Sequence, residues 1–188
     1  GVLPAGGATS PCNNLVEHYD GRAWQAEPDS FANIAESVAG PKSSDVWAAG
    51  STATSGQPVI EHSADGRHWT VVYNPSIQGN LTDIAWLSDS DVWAIGSQGN
   101  SPLCVHWDGH TWQQTSMPIG PGVYNVGTRI SADSDGHLWA IMDGYNTYLL
   151  ESWDGSSWQA HPYLPANDLV TMHDIDAVNS TMVWAGGN

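Results

Sequence analysis

Short apolar runs alternate with polar turn clusters along the whole chain, and no run of useful length keeps helical spacing. Residues 81–114, LTDIAWLSDSDVWAIGSQGNSPLCVHWDGHTWQQ, show the pattern in full. Leu81 to Leu87 is an aliphatic-rich run. Ser88-Asp89-Ser90-Asp91 is a turn cluster, because short polar side chains bond their own backbone. Val92 to Ile95 is apolar again, and Gly96 to Pro102 is a loop of Gly, Ser and Asn. Leu103 to Trp107 alternates apolar with polar, and Thr111 to Thr115 is a fourth run. Between them Asp108-Gly109 signals a tight hairpin, since Gly tolerates the positive φ such a turn needs. The spacing predicts four short strands in about 45 residues.

The same unit recurs. The Trp that follows Val or Leu stands at 47, 93, 139 and 184, and the Trp after each Asp-Gly pair at 24, 69, 112 and 158. Two independent series share one period. The first unit runs Phe31 to Ala39, Asp45 to Gly50, Pro58 to His62, then Asp65-Gly66. The third runs Val126 to Ala132, His137 to Ile141, Tyr148 to Trp153, then Asp154-Gly155. A fourth has its first half at Val170 to Val178 and Met182 to Gly186, and its second half at Leu15 to Tyr19 with Asp20-Gly21. The expected fold is therefore all-β: a β-propeller of four blades with four antiparallel strands each, closed by a split blade built from both termini. Residues 1–11 form a tail and 12–188 the propeller, its blades centred on Trp47/Trp69, Trp93/Trp112, Trp139/Trp158 and Trp184/Trp24. Closure has two forms: one chain closes alone as a monomer, or a homodimer completes a larger ring. A closed ring leaves no unpaired edge strand.

Asp45-Val46-Trp47-Ala48-Ala49-Gly50 and Asp91-Val92-Trp93-Ala94-Ile95-Gly96, each followed by a His-(Trp)-Asp-Gly-x-x-Trp segment, resemble the DVWAVG-type repeats of bacterial secreted β-propellers. The Asp-Gly-x-x-Trp part is similar to the Asp-box of Kelch- and BNR-like propellers, shortened by a residue. The resemblance implies blades, with the Asp-box as a structural hairpin on the rim, away from any active site. Ile141-Met142-Asp143 and Ala185-Gly186-Gly187 depart from the pattern.

Composition narrows the function classes. The 188 residues suffice for one domain with a sizeable core. Arg22, Lys42, Arg67 and Arg129 are the only basic side chains against 20 acids, for a net charge of −16. Such a surface repels nucleic acid and anionic membranes. It attracts a cation or a cationic partner, or serves only solubility. No apolar run reaches the length of a membrane span. Residues 1–11 read as the start of a processed chain or as a linker, and scarce Lys with abundant Trp, Gly, Ser and Thr suits an extracellular or cell-surface protein.

Candidate chemistry is sparse, and no catalytic motif is present. Ser37, Asp83, Arg129 and Asp174 share one column of the first strands, which line a propeller's channel. They form either a polar ring with Arg129 bridging Asp83 and Asp174, or an ion-pair network at the blade junctions. No cofactor is called for, and a channel-bound cation such as calcium is the one candidate occupant. His18, His62 and His106 share a column with Ser152, too far apart for a metal, and are expected to be satisfied by backbone or by a neighbour such as Glu17 or Glu61. His173-Asp174-x-Asp176 is the one local cation cluster. Cys12 and Cys104 either pair or leave Cys104 as a small buried hydrophobe. The recurring Trp are inter-blade core. Aromatics that break the repeat are the ligand-binding candidates: Trp86, Tyr124, Tyr145 with Asn146, and Tyr163. Asn80 and Asn179 head glycosylation sequons. The leading expectation is a non-catalytic extracellular module binding a glycan or protein surface through channel mouth and loops. The alternatives are a structural, self-assembling module of a larger surface protein, and a glycosidase or lyase using channel carboxylates such as Asp83 and Asp174.

Overall fold

The computed structural model describes residues 16–26, 33–118, 126–144, 147–161 and 172–187, all strand, turn or loop with no helix among them. The strands are β1 (Glu17–Tyr19), β2 (Trp24–Ala26), β3 (Ile34–Lys42), β4 (Asp45–Ser51), β5 (Pro58–Ser63), β6 (Thr70–Tyr73), β7 (Asn80–Ser88) and β8 (Asp91–Gln98). They continue with β9 (Ser101–Trp107), β10 (Trp112–Thr115), β11 (Val126–Ala132), β12 (Leu138–Gly144), β13 (Thr147–Trp153), β14 (Trp158–His161), β15 (Met172–Asn179) and β16 (Met182–Gly187). Three complete antiparallel meanders result: β3 to β6, β7 to β10 and β11 to β14. Two further pairs, β1-β2 and β15-β16, stand as two-stranded sheets.

Each meander, and the β1-β2 pair, turns on the same hairpin. The Asp carboxylate accepts the amide N–H groups two and three residues on: Asp20 from Arg22 and Ala23, Asp65 from Arg67 and His68, Asp108 from His110 and Thr111, Asp154 from Ser156 and Ser157, all at 2.8–2.9 Å. Gly109, next to Asp108, has φ +90° and sits against Ser90, so this hairpin needs glycine for both conformation and space. Bonds to the charged form hold these carboxyls below the usual range. The largest contributor is the Ala23 N–H for Asp20, the His68 side chain for Asp65, the Thr111 N–H for Asp108 and the Ser156 hydroxyl for Asp154.

First strands pack side by side, β3 on β7, β7 on β11 and β11 on β15. The core lies between blades. Trp47 meets Trp107 and Trp112 of the next blade, both at 5.7 Å between ring centres, and Trp93 meets Trp153 at 4.9 Å and Trp158 at 5.7 Å. The departure at Met142 is compensated across the ladder. Leu81 faces Gly96 and Ala35 faces Gly50, whereas Met142 faces Gly127, so the small residue has changed strands.

Closure differs from expectation. Among the described residues β1-β2 and β15-β16 do not join, and the sheets do not close into a ring. Each pair rests on its own neighbour: Val16 packs on Ala48 and Val59 of the first meander, and β15 packs on β11 and β12 of the third. Residues whose neighbours would come from a closing blade are consequently wet. Trp24 is 67% and Trp184 68% exposed, so neither is inter-blade core. Val38 is exposed, although its column mates Ile84, Ile130 and Ile175 are buried.

Candidate functional site

A backbone irregularity places the first-strand column. Ser37, Asp83, Arg129 and Asp174 each directly follow a register shift in their strand, facing Ala49, Ile95, Ile141 and Gly186. Such bulges re-aim a side chain relative to the pleat. Asp83 uses both oxygens structurally. Its Oδ1 accepts from Ser37 Oγ at 2.6 Å and Ile84 N at 2.9 Å, and its Oδ2 from Ile130 N at 2.9 Å. One carboxylate thus ties three successive blades. Burial raises its pKa, against which work the Ser37 hydroxyl, the Ile130 and Ile84 amides and the nearby Arg129.

Arg129 does not bridge Asp83 and Asp174. Its Nη1 donates to the Thr128 carbonyl at 2.7 Å, and the residue is exposed. Asp83 takes its hydrogen bonds from neutral donors, and Arg129 acts on it only as a nearby charge. Asp174 is exposed and accepts from Ile175 N at 3.0 Å. The column therefore divides into a buried staple, Ser37 with Asp83, and two solvent-facing charges, Arg129 and Asp174.

The histidine column is a structural device. His62 stacks on Trp47 with ring centres 4.0 Å apart, its Nε2 2.8 Å from Asp45 Oδ1. His106 stacks on Trp93 at 4.0 Å, its Nε2 2.9 Å from Asp91 Oδ1. The partners are the Asp that open the second strands, not Glu17 or Glu61. Cross-strand register places each His beside its Trp. Glu61 is instead buried, accepts from Asn33 Nδ2 at 2.6 Å, and has its pKa raised by burial, which that bond opposes. In the third blade Ser152 fills the column, and His161 from β14 stacks on Trp139 at 5.0 Å with its Nε2 2.7 Å from Ser152 Oγ.

Trp86 is half-buried against the core between the first two blades, and its buried Nε1 has no hydrogen-bond partner among the described residues. That is core packing rather than an open sugar platform. Tyr124, Tyr145, Asn146, Tyr163 and Cys12 lie outside the described residues. Cys104 is a free thiol 1% exposed, set in the core between the second and third blades, and burial pushes it up to about 12. Among the described residues His173, Asp174 and Asp176 do not come together as a ligand group.

Two features escaped the sequence reading. Glu151 is wholly buried with neither carboxylate oxygen bonded among the described residues, and burial pushes it up to about 7. The other is the β11–β12 turn, Asp133-Ser134-Asp135-Gly136-His137, where three side chains bring ligand atoms within 4.8 Å of one another. Asp133 Oδ1 accepts the amides of Asp135 and His137, at 2.8 and 2.9 Å. Alignment of the repeats holds the signal. Asp133 stands where other blades have Pro41, Leu87 and Val178, and His137 where they have Asp45, Asp91 and Met182.

No family model matches this chain, and no curated protein matches it. Solved structures do. A chain described as YCF48 bound to D1 peptide superposes with a TM-score of 0.60 at 16% identity, over 89% of this chain and 53% of that one. A chain of a nidogen/laminin complex superposes with a TM-score of 0.53 at 17% identity, over 73% of this chain and 51% of that one. At such identity the likeness shows the fold alone, a β-propeller. The chain spans about half the length of the structures it matches.

Proposed function

We propose that this chain is a non-catalytic binding module whose solvent-facing channel column takes a cationic peptide or protein surface. The observation that carries this reading is the division of the column. Asp83 is committed to Ser37, Ile84 and Ile130, while Asp174 and Arg129 stay open to solvent at equivalent positions of adjacent strands. A net charge of −16 favours a cationic partner, chiefly through association rate. The matched YCF48 structure holds a peptide and the nidogen match comes from a protein complex, which supports a polypeptide partner over a glycan. The engagement of Asp83 argues against a glycosidase or lyase, which wants a pair of available carboxylates. Composition supports a place outside the cell or at its surface.

The test is biolayer interferometry of the immobilised chain against lysine/arginine-rich, neutral and acidic peptide pools, with a glycan panel in parallel. Binding is expected from the basic pool, weakened several-fold by Asp174→Asn and by raising salt from about 50 to 300 mM, as for screened charge pairs. Binding confined to glycans, or indifferent to both changes, sinks the reading. A second reading, a self-assembling module, is favoured by one observation: Trp24 and Trp184 are exposed on the two incomplete sheets.

A further inference from the structure

We infer that the β11–β12 turn is a binding site for a zinc-class divalent cation, held by Asp133, Asp135 and His137. Three observations converge. First, Asp133 is a carboxylate in a column otherwise apolar, at Pro41, Leu87 and Val178, and its side chain is 0% exposed. At the equivalent positions Pro41 and Val178 are exposed and Leu87 half-buried, so among the described residues only the third blade buries a charged group here, which is costly unless something compensates it. Second, the compensation among the described residues is incomplete. Oδ1 is occupied by two amides, but Oδ2 has no hydrogen-bond partner. It faces His137 Nδ1 at 3.3 Å, an ion pair when the ring is protonated, but neither atom makes a well-formed hydrogen bond. Third, Asp135 adds a further carboxylate to the group, its Oδ2 anchored by Ser180 N at 2.9 Å and Ser180 Oγ at 2.8 Å. A buried carboxylate, a half-buried imidazole and an exposed but tethered carboxylate thus hold ligand atoms within 4.8 Å of one another.

The donor set selects the ion. Calcium and magnesium take oxygen ligands, and Ca²⁺ wants six to eight of them. One imidazole nitrogen with two carboxylates suits a borderline ion such as Zn²⁺, with water in the remaining position. The blade has also released His137 from structural duty. Asp45 and Asp91 hold the stacked His of their own blades, whereas in the third blade that stack is made by His161 with Ser152. His137 is thus a departure that the repeat does not use.

The site's place suggests its effect. Through Asp135 and Ser180, and through Ser134, whose Oγ and N both donate to the Val178 carbonyl, this turn grips the β15–β16 turn. An ion that stiffens Asp133 to His137 fixes the last strand pair onto the third blade.

The experiment is calorimetric titration of the chelator-treated chain with Zn²⁺, with Ca²⁺ and Mg²⁺ as comparators and thermal melts alongside. Asp133→Leu installs the residue of the second blade, and His137→Gln removes the nitrogen donor. One Zn²⁺ per chain is expected, with a raised melting temperature. Affinity should fall at least about tenfold in each variant, the scale on which loss of even a supporting group acts. Should a variant fail to fold, histidine-detected NMR of the wild-type chain decides, because the His137 ring resonances must shift first on adding Zn²⁺. Overturning results are no Zn²⁺ binding, binding unchanged in both variants, Ca²⁺ binding as tight as Zn²⁺, or shifts confined to other histidines.

Discussion

Glu151 on β13 stands in the column of Glu17, Glu61 and Val105, and among the described residues it is the buried member with neither oxygen bonded. Its carboxyl is raised from 4.5 to about 7. Below the lower value both the folded and unfolded forms are protonated, and the site costs nothing in charge. As pH rises from 4.5 towards 7 the unfolded chain ionises first, so folding loses stability, on the order of 3 kcal/mol in full. The hairpin aspartates act in another window. Their lowered carboxyls contribute stability that is present above about 3.8 and lost as pH falls through their folded values. Glu151→Val, which copies Val105 of the second blade, is expected to be more stable than wild type at pH 8 and to have lost the decline between pH 5 and 8. Urea unfolding at the two pH values checks this, and identical pH slopes for variant and parent refute it.

At the scale of one blade, the first two strands approach as closely as their glycines permit. A Cβ on Gly96 would lie 2.0 Å from the Asn80 carbonyl oxygen, and one on Gly50 1.7 Å from that of Ile34. Both obstacles are backbone, so no rotamer change relieves them. Gly96→Ala is expected to cost about 1–3 kcal/mol or more through forced separation of β7 from β8. A variant within a few tenths of a kcal/mol of wild type in urea unfolding would contradict that geometry. The third blade shows the permitted solution, Met142 opposite Gly127, where bulk and space have been exchanged between strands.

At the scale of the whole molecule, every interior junction follows one rule: the second-strand Trp of a blade meets the fourth-strand Trp of the next. Among the described residues Trp139 stacks on His161 but meets no fourth-strand Trp of a following blade, and Trp184 is exposed. Asp174 is likewise placed as Asp83 is, but among the described residues it accepts only from its own neighbour Ile175, with no counterpart of the bond from Ile130 to Asp83. β16 also presents an outer edge that no described strand pairs. Exposed edges and large exposed Trp favour association. We expect concentration-dependent self-association in analytical ultracentrifugation, lost in a Trp24→Ser, Trp184→Ser double variant. Sedimentation as a monomer across the whole accessible concentration range would remove the self-assembly reading.

What the sequence determined by itself is what operates within a few residues or repeats with a fixed period. The Asp-Gly hairpins close through bonds to amides two and three residues on, so their spacing alone announced them. The strand content and the three full blades followed from the Trp period, because each blade must present the same face to the next. The cation-site residues were also legible, as departures of Asp133 and His137 from their columns, but only the burial of Asp133 and its unbonded Oδ2 made those departures meaningful. Tertiary structure alone decided the rest. It placed Asp83 in bonds to residues 46 and 47 positions away and left Arg129 exposed. It also decided which Trp of two equivalent columns are core and which are wet, because burial is conferred by the neighbouring blade and not by the residue's own pattern.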